Sequence, residues 1–428
     1  MIKDNKKQIR SWVMYDWANS AFATTIGAAI LPIFYQDVAA RDLPDYLATA
    51  YWGYTRSVAM ILIVILAPFL GSIADHSRSK RQHLMTFALL GITATASLVM
   101  ISAGDYLLAS VIMILATIGF SGSNIFYDAF LPEITTTNER NYVSAKGFAY
   151  GYLGGGILLA INLLMVQYPQ WFGMPNTLWG IRLSFITVSV WWLLFSIPIF
   201  KNLKDTPRDG SNLSTSYLQS AKAGIADLKN TFKTILEHRE LIKFLIAFWL
   251  YNDAIGTIIG MATVFGREIG IDQLSLMGAL LLVQIAGFPF TLIFGKFANR
   301  LGTKNSIYIT LVVYFIASVS GYFMTSALHF FILAFLVSTS QGASQAFSRS
   351  LFSTLIPEKD PAKFFAFYSI FNKMQFVAPA VFAFIGQVTG NSRNGVLTLL
   401  FFLVAGALIL KTVREKQHKV PETATITA

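Results

Sequence analysis

The chain has 428 residues, of which 54% are hydrophobic and only 13% charged, about half the charged share of an ordinary soluble protein. Its mean hydropathy is +0.56. It contains no cysteine, which excludes a disulfide framework, a thiolate nucleophile and a thiolate metal site. The formal net charge of +11 would suit a nucleic-acid partner, but the basic residues punctuate long apolar runs instead of forming one soluble face, so no nucleic acid is expected.

A helix needs about 20 apolar residues to cross a bilayer. Twelve runs meet that need: 11–36, 48–74, 83–103, 106–130, 144–168, 179–200, 241–266, 274–298, 305–326, 328–355, 363–389 and 395–413. They are too long for strands and lack period-two alternation. With the N-terminus inside, the inner segments carry 26 Lys and Arg against 5 outside, a bias that puts both termini in the cytoplasm. The first run is too long for a signal-peptide core and lacks a small-residue cleavage site. The five histidines (His76, His83, His238, His329, His418) fall at span ends, in loops or in the tail. They suggest no metal site, and no cofactor is expected.

The stretch 201–240 breaks the apolar pattern. It begins polar, then Leu218, Ala221, Ile225, Leu228, Phe232 and Ile235 recur at spacings of three and four with Lys222, Lys229 and Lys233 between them, the pattern of an amphipathic helix. Such a helix either lies on the inner leaflet or packs on cytoplasmic loops. The expected organisation is a six-helix half over 1–200, a cytoplasmic linker over 201–240, a second half over 241–414 and a cytoplasmic tail over 415–428.

Internal repetition supports two halves. Gly71-Ser-Ile-Ala-Asp75 and Gly295-Lys-Phe-Ala-Asn299 both end a span, and each continues to a lysine, Lys80 and Lys304. Leu131-Pro132-Glu133 and Ile356-Pro357-Glu358 repeat at almost the same offset. Tyr15-Asp16-Trp17-Ala18 and Tyr251-Asn252-Asp253-Ala254 sit in the first span of each half, at a different offset. Parallel six-helix repeats with substrate between them are one transporter plan.

These residues resemble the major facilitator superfamily. Gly71 through Arg81, and its second copy Gly295 through Lys304 with Arg300 inside it, look like the superfamily's loop between helices two and three. The first copy has His76 where a basic residue is usual, and the second has Asn299 for the usual aspartate. The resemblance implies that Asp75 holds the N-terminal end of helix eleven and that Gly71, Asp75, Lys80, Arg81, Gly295, Asn299, Arg300 and Lys304 form gating loops. Tyr15 through Phe22, the Leu131-Pro132-Glu133 turn, the glycine-rich stretch Gly147 through Gly156 and Ser348-Arg349-Ser350-Leu351-Phe352 are more specific. Together they resemble the vacuolar-effluxer-like family, whose fungal autophagy-related members are associated with amino-acid efflux. The fold implied is all-α and integral to the membrane, with 12 transmembrane helices in two pseudo-symmetric six-helix halves. The implied location is a bacterial inner membrane, and a monomer is expected. The stretch Gly151-Tyr-Leu-Gly-Gly-Gly156 also looks like an antiporter motif, with Tyr152 where proline is usual; this favours export.

Charges buried in spans are costly and mark functional positions. Asp253 and Lys373 lie near the midplane, and Asp16, Asp128, Arg56 and Arg349 one to two turns from a span end. One reading places them in a polar cavity between the halves. There Arg56, Arg349 or Lys373 would bind a substrate carboxylate, and Asp16 or Asp253 an ammonium group or a coupling proton. Tyr15, Trp17, Trp249 and Tyr251 would add cation–π contacts. The other reading is structural or gating ion pairs, such as Asp16 with Lys373 or Asp128 with Arg349. Asn19, Ser20, Asn124, Asn252, Gln284, Gln341, Gln345 and Asn372 also fall within spans, as cavity lining or as interhelical hydrogen bonds. Gly147, Gly151 and Gly155 form overlapping GxxxG patterns for close helix packing. Trp12, Trp171, Trp179, Trp191 and Trp192 read as interface or lipid-facing anchors. The spans contain no nucleophile–histidine–acid set, so an enzyme is not expected. The leading function is a secondary transporter of a small polar solute, with a solute sensor on the same scaffold as the alternative.

Overall fold

Out of water, a chain must satisfy its own backbone hydrogen bonds, and runs this apolar do so as helices. The computed structural model describes residues 2–76, 79–135, 137–204, 233–356 and 361–414. Most of the linker and the tail after 414 lie outside the described residues. Among the described residues, ten helices are long and apolar enough to cross a membrane.

The first helix, α1 (Ile2–Ala21), continues through wider π-helical turns at Phe22–Ile30, one α-helical turn at Leu31–Phe34 and a second π stretch at Tyr35–Ala39. Next come α2 (Asp45–His76), α3 (Lys80–Ser97), α4 (Tyr106–Ile134), α5 (Thr137–Gln167) and α6 (Thr177–Asn202). The second half holds α7 (Arg239–Glu268), α8 (Gln273–Leu301), α9 (Thr303–Tyr322), α10 (Ala327–Leu355), α11 (Pro361–Lys373), α12 (Val377–Thr389) and α13 (Ser392–Lys411). Gly302, at φ +81°, joins α8 directly to α9 in a backbone conformation that favours glycine.

The run 363–389, expected as one helix, is two: α11 and α12, separated by residues 374–376. Pro379 supplies the local reason. It lacks a backbone N–H, and its ring would clash with the carbonyl of Gln375 in a continuous helix, whereas in the first turn of α12 it is tolerated.

Within the first half, α1 packs on α5 and α6, and α3 on α4. The glycines of α5 make the α1 contact possible. A Cβ on Gly147 would lie 2.8 Å from Trp12, one on Gly151 2.5 Å from Ser20, and one on Gly154 2.6 Å from the Trp17 carbonyl oxygen. Two of the expected tryptophan anchors are instead interior. Trp12 is buried, stacked 4.3 Å from Tyr127 and donating from Nε1 to the Tyr127 carbonyl, and Trp192 is fully buried beside Phe22 and Phe120. Trp171 and Trp179 are exposed, and Trp191 stacks on Trp17. Between the halves, α12 packs on α2, and α5 on α8.

Candidate functional site

The start of α1, the end of α6, the start of α7 and the end of α13 share one face of the bundle, called the near face below. Asn202 donates to Ser11 there, and the Arg414 backbone N–H donates to Glu240. Every side-chain hydrogen bond joining the halves among the described residues lies toward the opposite, far face. Arg267 pairs with Asp37 at 2.6 Å, Thr263 donates to the Ala28 carbonyl at 2.5 Å, Trp52 Nε1 donates to the Gly260 carbonyl at 3.2 Å, and Tyr54 donates to Gln387 at 2.6 Å. Ala28 lies within a π-helical stretch of α1.

Toward the near face the halves part. Asp128 on α4 and Gln345 and Arg349 on α10 are exposed. Asp128 is within electrostatic reach of both Arg349 and Lys373, yet among the described residues no ion pair within 4.0 Å joins them. Nor does Asp16 pair with Lys373. A cleft therefore runs between the halves, open at the near face, with an acid on one wall and two bases on the other.

The sequence-derived cavity residues divide into three groups. Some are held in packing. Tyr15 is fully buried against Tyr127, Trp17 stacks on Trp191, and Asn19 donates to Asn124 at 2.6 Å, tying α1 to α4. Tyr251 shares a 2.6 Å hydrogen bond with Ser348 inside the second half.

A second group holds the break between α11 and α12. Along one side of α7, Trp249 Nε1 donates to the Met374 carbonyl at 2.9 Å and Asn252 donates to the Asn372 carbonyl at 3.1 Å. Asp253 Oδ2 accepts from the backbone N–H groups of Val377 and Ala378 at 3.0 and 2.9 Å. The carboxylate thus caps α12 from another helix, where chain-local capping is absent. Asp253 is fully buried, and its Oδ1 has no hydrogen-bond partner.

The third group faces the cleft: Asp128, Gln345, Arg349 and Lys373, with Asp16 and Arg56 half-buried. Asp16 sits against Gly147 and Gly151, with a long 3.5 Å contact from Ser20 and the Tyr127 hydroxyl also facing its carboxylate. Arg56 lies over Gly260 with its Nε buried and unpartnered.

Of the expected gating residues, Lys80 is buried and pairs with Glu133, joining the start of α3 to the end of α4. Arg81 donates to the Leu203 carbonyl just past α6. Lys304 donates to the Lys411 and Val413 carbonyls at the end of α13. In each half a base at the start of the third helix thus holds the end of the sixth. Gly71 has open space around it. The side chains of Asp75, Asn299 and Arg300, and Gly295, lie outside the described residues.

Sequence reasoning missed the far-face contacts of Asp37, Thr263 and Arg267, and Gln375 at the helix break. Asp37 and Arg267 stand near span ends, where charges are ordinary, so only the fold reveals them as partners.

Helical halves around a one-sided cleft with facing charges define a membrane transporter of the major facilitator type. The fold matches solved structures of that type: a D-xylose–proton symporter (TM-score 0.68, 14% identity, 96% of this chain and 97% of that one) and the inward-open xylose transporter XylE of E. coli (TM-score 0.65, 15% identity, 98% and 97%). The chain belongs to the "Vacuole effluxer Atg22 like" family, whose model matches residues 45–422. It is 38% identical over 422 residues to "Uncharacterized MFS-type transporter YxiO" of Bacillus subtilis, covering 97% of each chain. It is 25% identical over 450 residues to "Autophagy-related protein 22" of Yarrowia lipolytica, covering 84% of this chain and 74% of that one.

Proposed function

We propose that this transporter moves a small polar solute by alternating access, that amino acids are the solute class, and that the direction is export with proton coupling. The observation that carries the alternating-access reading is the asymmetry of the cleft. Four hydrogen bonds join the halves toward the far face, while Asp128 confronts Arg349 and Lys373 unjoined toward the near face. Rocking the halves would exchange one set of contacts for the other. The amino-acid reading rests on the resemblance to the vacuolar-effluxer-like family, and the export reading on the antiporter-like stretch Gly151 through Gly156. With the near face cytoplasmic, as the distribution of Lys and Arg favours, the cleft opens to the interior of a bacterial cell, the starting side for export.

Asp16 is the carboxylate best placed to take up a coupling proton. It is half-buried in the cleft wall, no cation among the described residues lies within 4.0 Å of it, and the groups facing it, the Ser20 and Tyr127 hydroxyls, are neutral. Asp253, by contrast, already holds α12. The test is counterflow and gradient-driven flux of a labelled amino-acid mixture in proteoliposomes, with and without an imposed pH gradient. Gradient-dependent flux in the wild type, and gradient-independent exchange in Asp16→Asn, are expected. Flux unchanged by collapse of the pH gradient removes proton coupling. Absence of amino-acid flux from folded protein removes the amino-acid assignment.

A further inference from the structure

One face of α7 carries two glycine notches a turn apart. At Gly260, a Cβ would lie 2.1 Å from the guanidinium carbon of Arg56 on α2; at Gly256, it would lie 2.2 Å from the side-chain oxygen of Gln375 in the α11–α12 break. Positions four apart on a helix are surface neighbours, about 5–6 Å between Cβ positions. The two notches therefore bring a cation from the first half and a neutral amide from the second side by side at the interface.

Arg56 lies eleven residues in from Asp45 and Gly260 eight residues short of Glu268, which places both about 12–16 Å below the far ends of their helices, inside the span on the far side of Asp253. Among the described residues no carboxylate lies within 4.0 Å of Arg56. Its Nε is buried without a partner, while the residue as a whole remains partly exposed. Gln375 is also partly exposed, and its amide makes no side-chain hydrogen bond among the described residues. A guanidinium at this depth without a counter-charge calls for an anion.

We propose that Arg56 and Gln375, seated in the Gly260 and Gly256 notches of α7, form the subsite that binds the carboxylate of the transported solute. The pairing rests on the transport reading above and names the chemistry the cleft recognises. The guanidinium edge matches a carboxylate as a two-pronged donor, and the Gln375 amide supplies a neutral donor beside it. One formal positive charge suits a monoanionic group. Because Gln375 belongs to the helix break that Trp249, Asn252 and Asp253 hold, a ligand spanning the two side chains also ties α2 to that break.

The test uses purified full-length protein and a labelled panel: alanine, glutamate, lysine, phenylalanine and lactate, each beside its methyl ester, with inorganic phosphate as a further anion. Binding is read by scintillation proximity and by ligand-induced thermal stabilisation. At least one acid is expected to bind and its ester to fail. Arg56→Gln, and independently Gly260→Ala and Gly256→Ala, are expected to weaken that binding by about tenfold or more, the loss of a charge-assisted contact. Both glycine substitutions displace only the ends of flexible side chains, so they test the subsite even if Arg56→Gln fails to fold. Esters binding as well as acids, unchanged affinity in both glycine variants, binding of phosphate alone, or binding of none of the acids overturns the proposal. Counterflow in the same preparations separates the two readings. Solutes bound through their carboxylate but never exchanged would remove transport and leave the subsite standing. Exchange indifferent to the carboxylate would remove the subsite and leave transport standing.

Discussion

Asp253 and Asp16 are both acids inside the first helix of a half, yet the structure gives them opposite surroundings. Asp253 accepts two backbone N–H groups at the start of α12 and is fully buried; Asp16 borders the cleft and meets only neutral hydroxyls, those of Ser20 and Tyr127, among the described residues. Replacing Asp253 by Ala strands two backbone donors, that of Ala378 buried and that of Val377 partly so. Each costs about 1–3 kcal/mol, so Asp253→Ala is expected to lower stability by roughly 2–6 kcal/mol. Asp253→Asn keeps a carbonyl acceptor and is expected to lose less than half of that. Thermal unfolding in detergent measures both. Equal melting temperatures for wild type and Asp253→Ala would mean that the cap does not hold α12. The sequence made both residues conspicuous, because mid-span charge is rare. It could not separate their roles, since those depend on what a distant part of the chain places opposite: a free helix end in one case and a cleft in the other. The same holds for Tyr15 and Trp17, whose residue types suit a cavity but whose rings are taken up by Tyr127 and Trp191.

At the scale of elements, the glycines of α5 show how one residue type serves different ends. Gly154 and Gly156 stand two apart in one glycine run. A Cβ on Gly154 would meet the backbone oxygen of Trp17 at 2.6 Å, whereas nothing lies within 4 Å of one on Gly156. Backbone cannot swing aside as a side chain does, so Gly154→Ala must push α1 away from α5 and is expected to cost about 1–3 kcal/mol. Gly156→Ala is expected to be neutral or slightly stabilising, because alanine favours the helix. Comparing the two melting temperatures checks the contact, and equal values would refute it. The spacing of Gly147, Gly151 and Gly155 announced close packing; the facing helix was not legible, because sequence spacing carries no information about distant partners. The helix break was partly legible. Pro379 inside an apolar run forbids a continuous helix through Gln375, but the expected span 363–389 read through it, since hydropathy averages over such interruptions. The capping of both broken ends by Trp249, Asn252 and Asp253 depends on α7 and left no local signal.

For the whole molecule, the two-half plan was legible because duplication left paired loops at nearly constant offset, and the structure places Lys80 and Lys304 at the starts of α3 and α9. Which face of the cleft is open was not legible, because it is a property of contacts between halves. Those contacts make a population argument. The Arg267–Asp37 pair is partly exposed, and such pairs contribute about 0.2–1 kcal/mol. Breaking it removes an interaction made only when the far face is closed, so Asp37→Asn is expected to shift the balance between the two cleft states by up to about fivefold. The absence of native cysteine makes this directly readable. A single cysteine at Gln345→Cys, exposed toward the near face, should react with a membrane-impermeant maleimide added to the near-face side of oriented vesicles. Adding Asp37→Asn should slow that reaction, because the near face then spends less time open. Reversing Asp128 to Lys should speed it, because like charges on Arg349 and Lys373 oppose closure. Labelling rates indifferent to both substitutions would mean that these charges do not set the balance between the two open states.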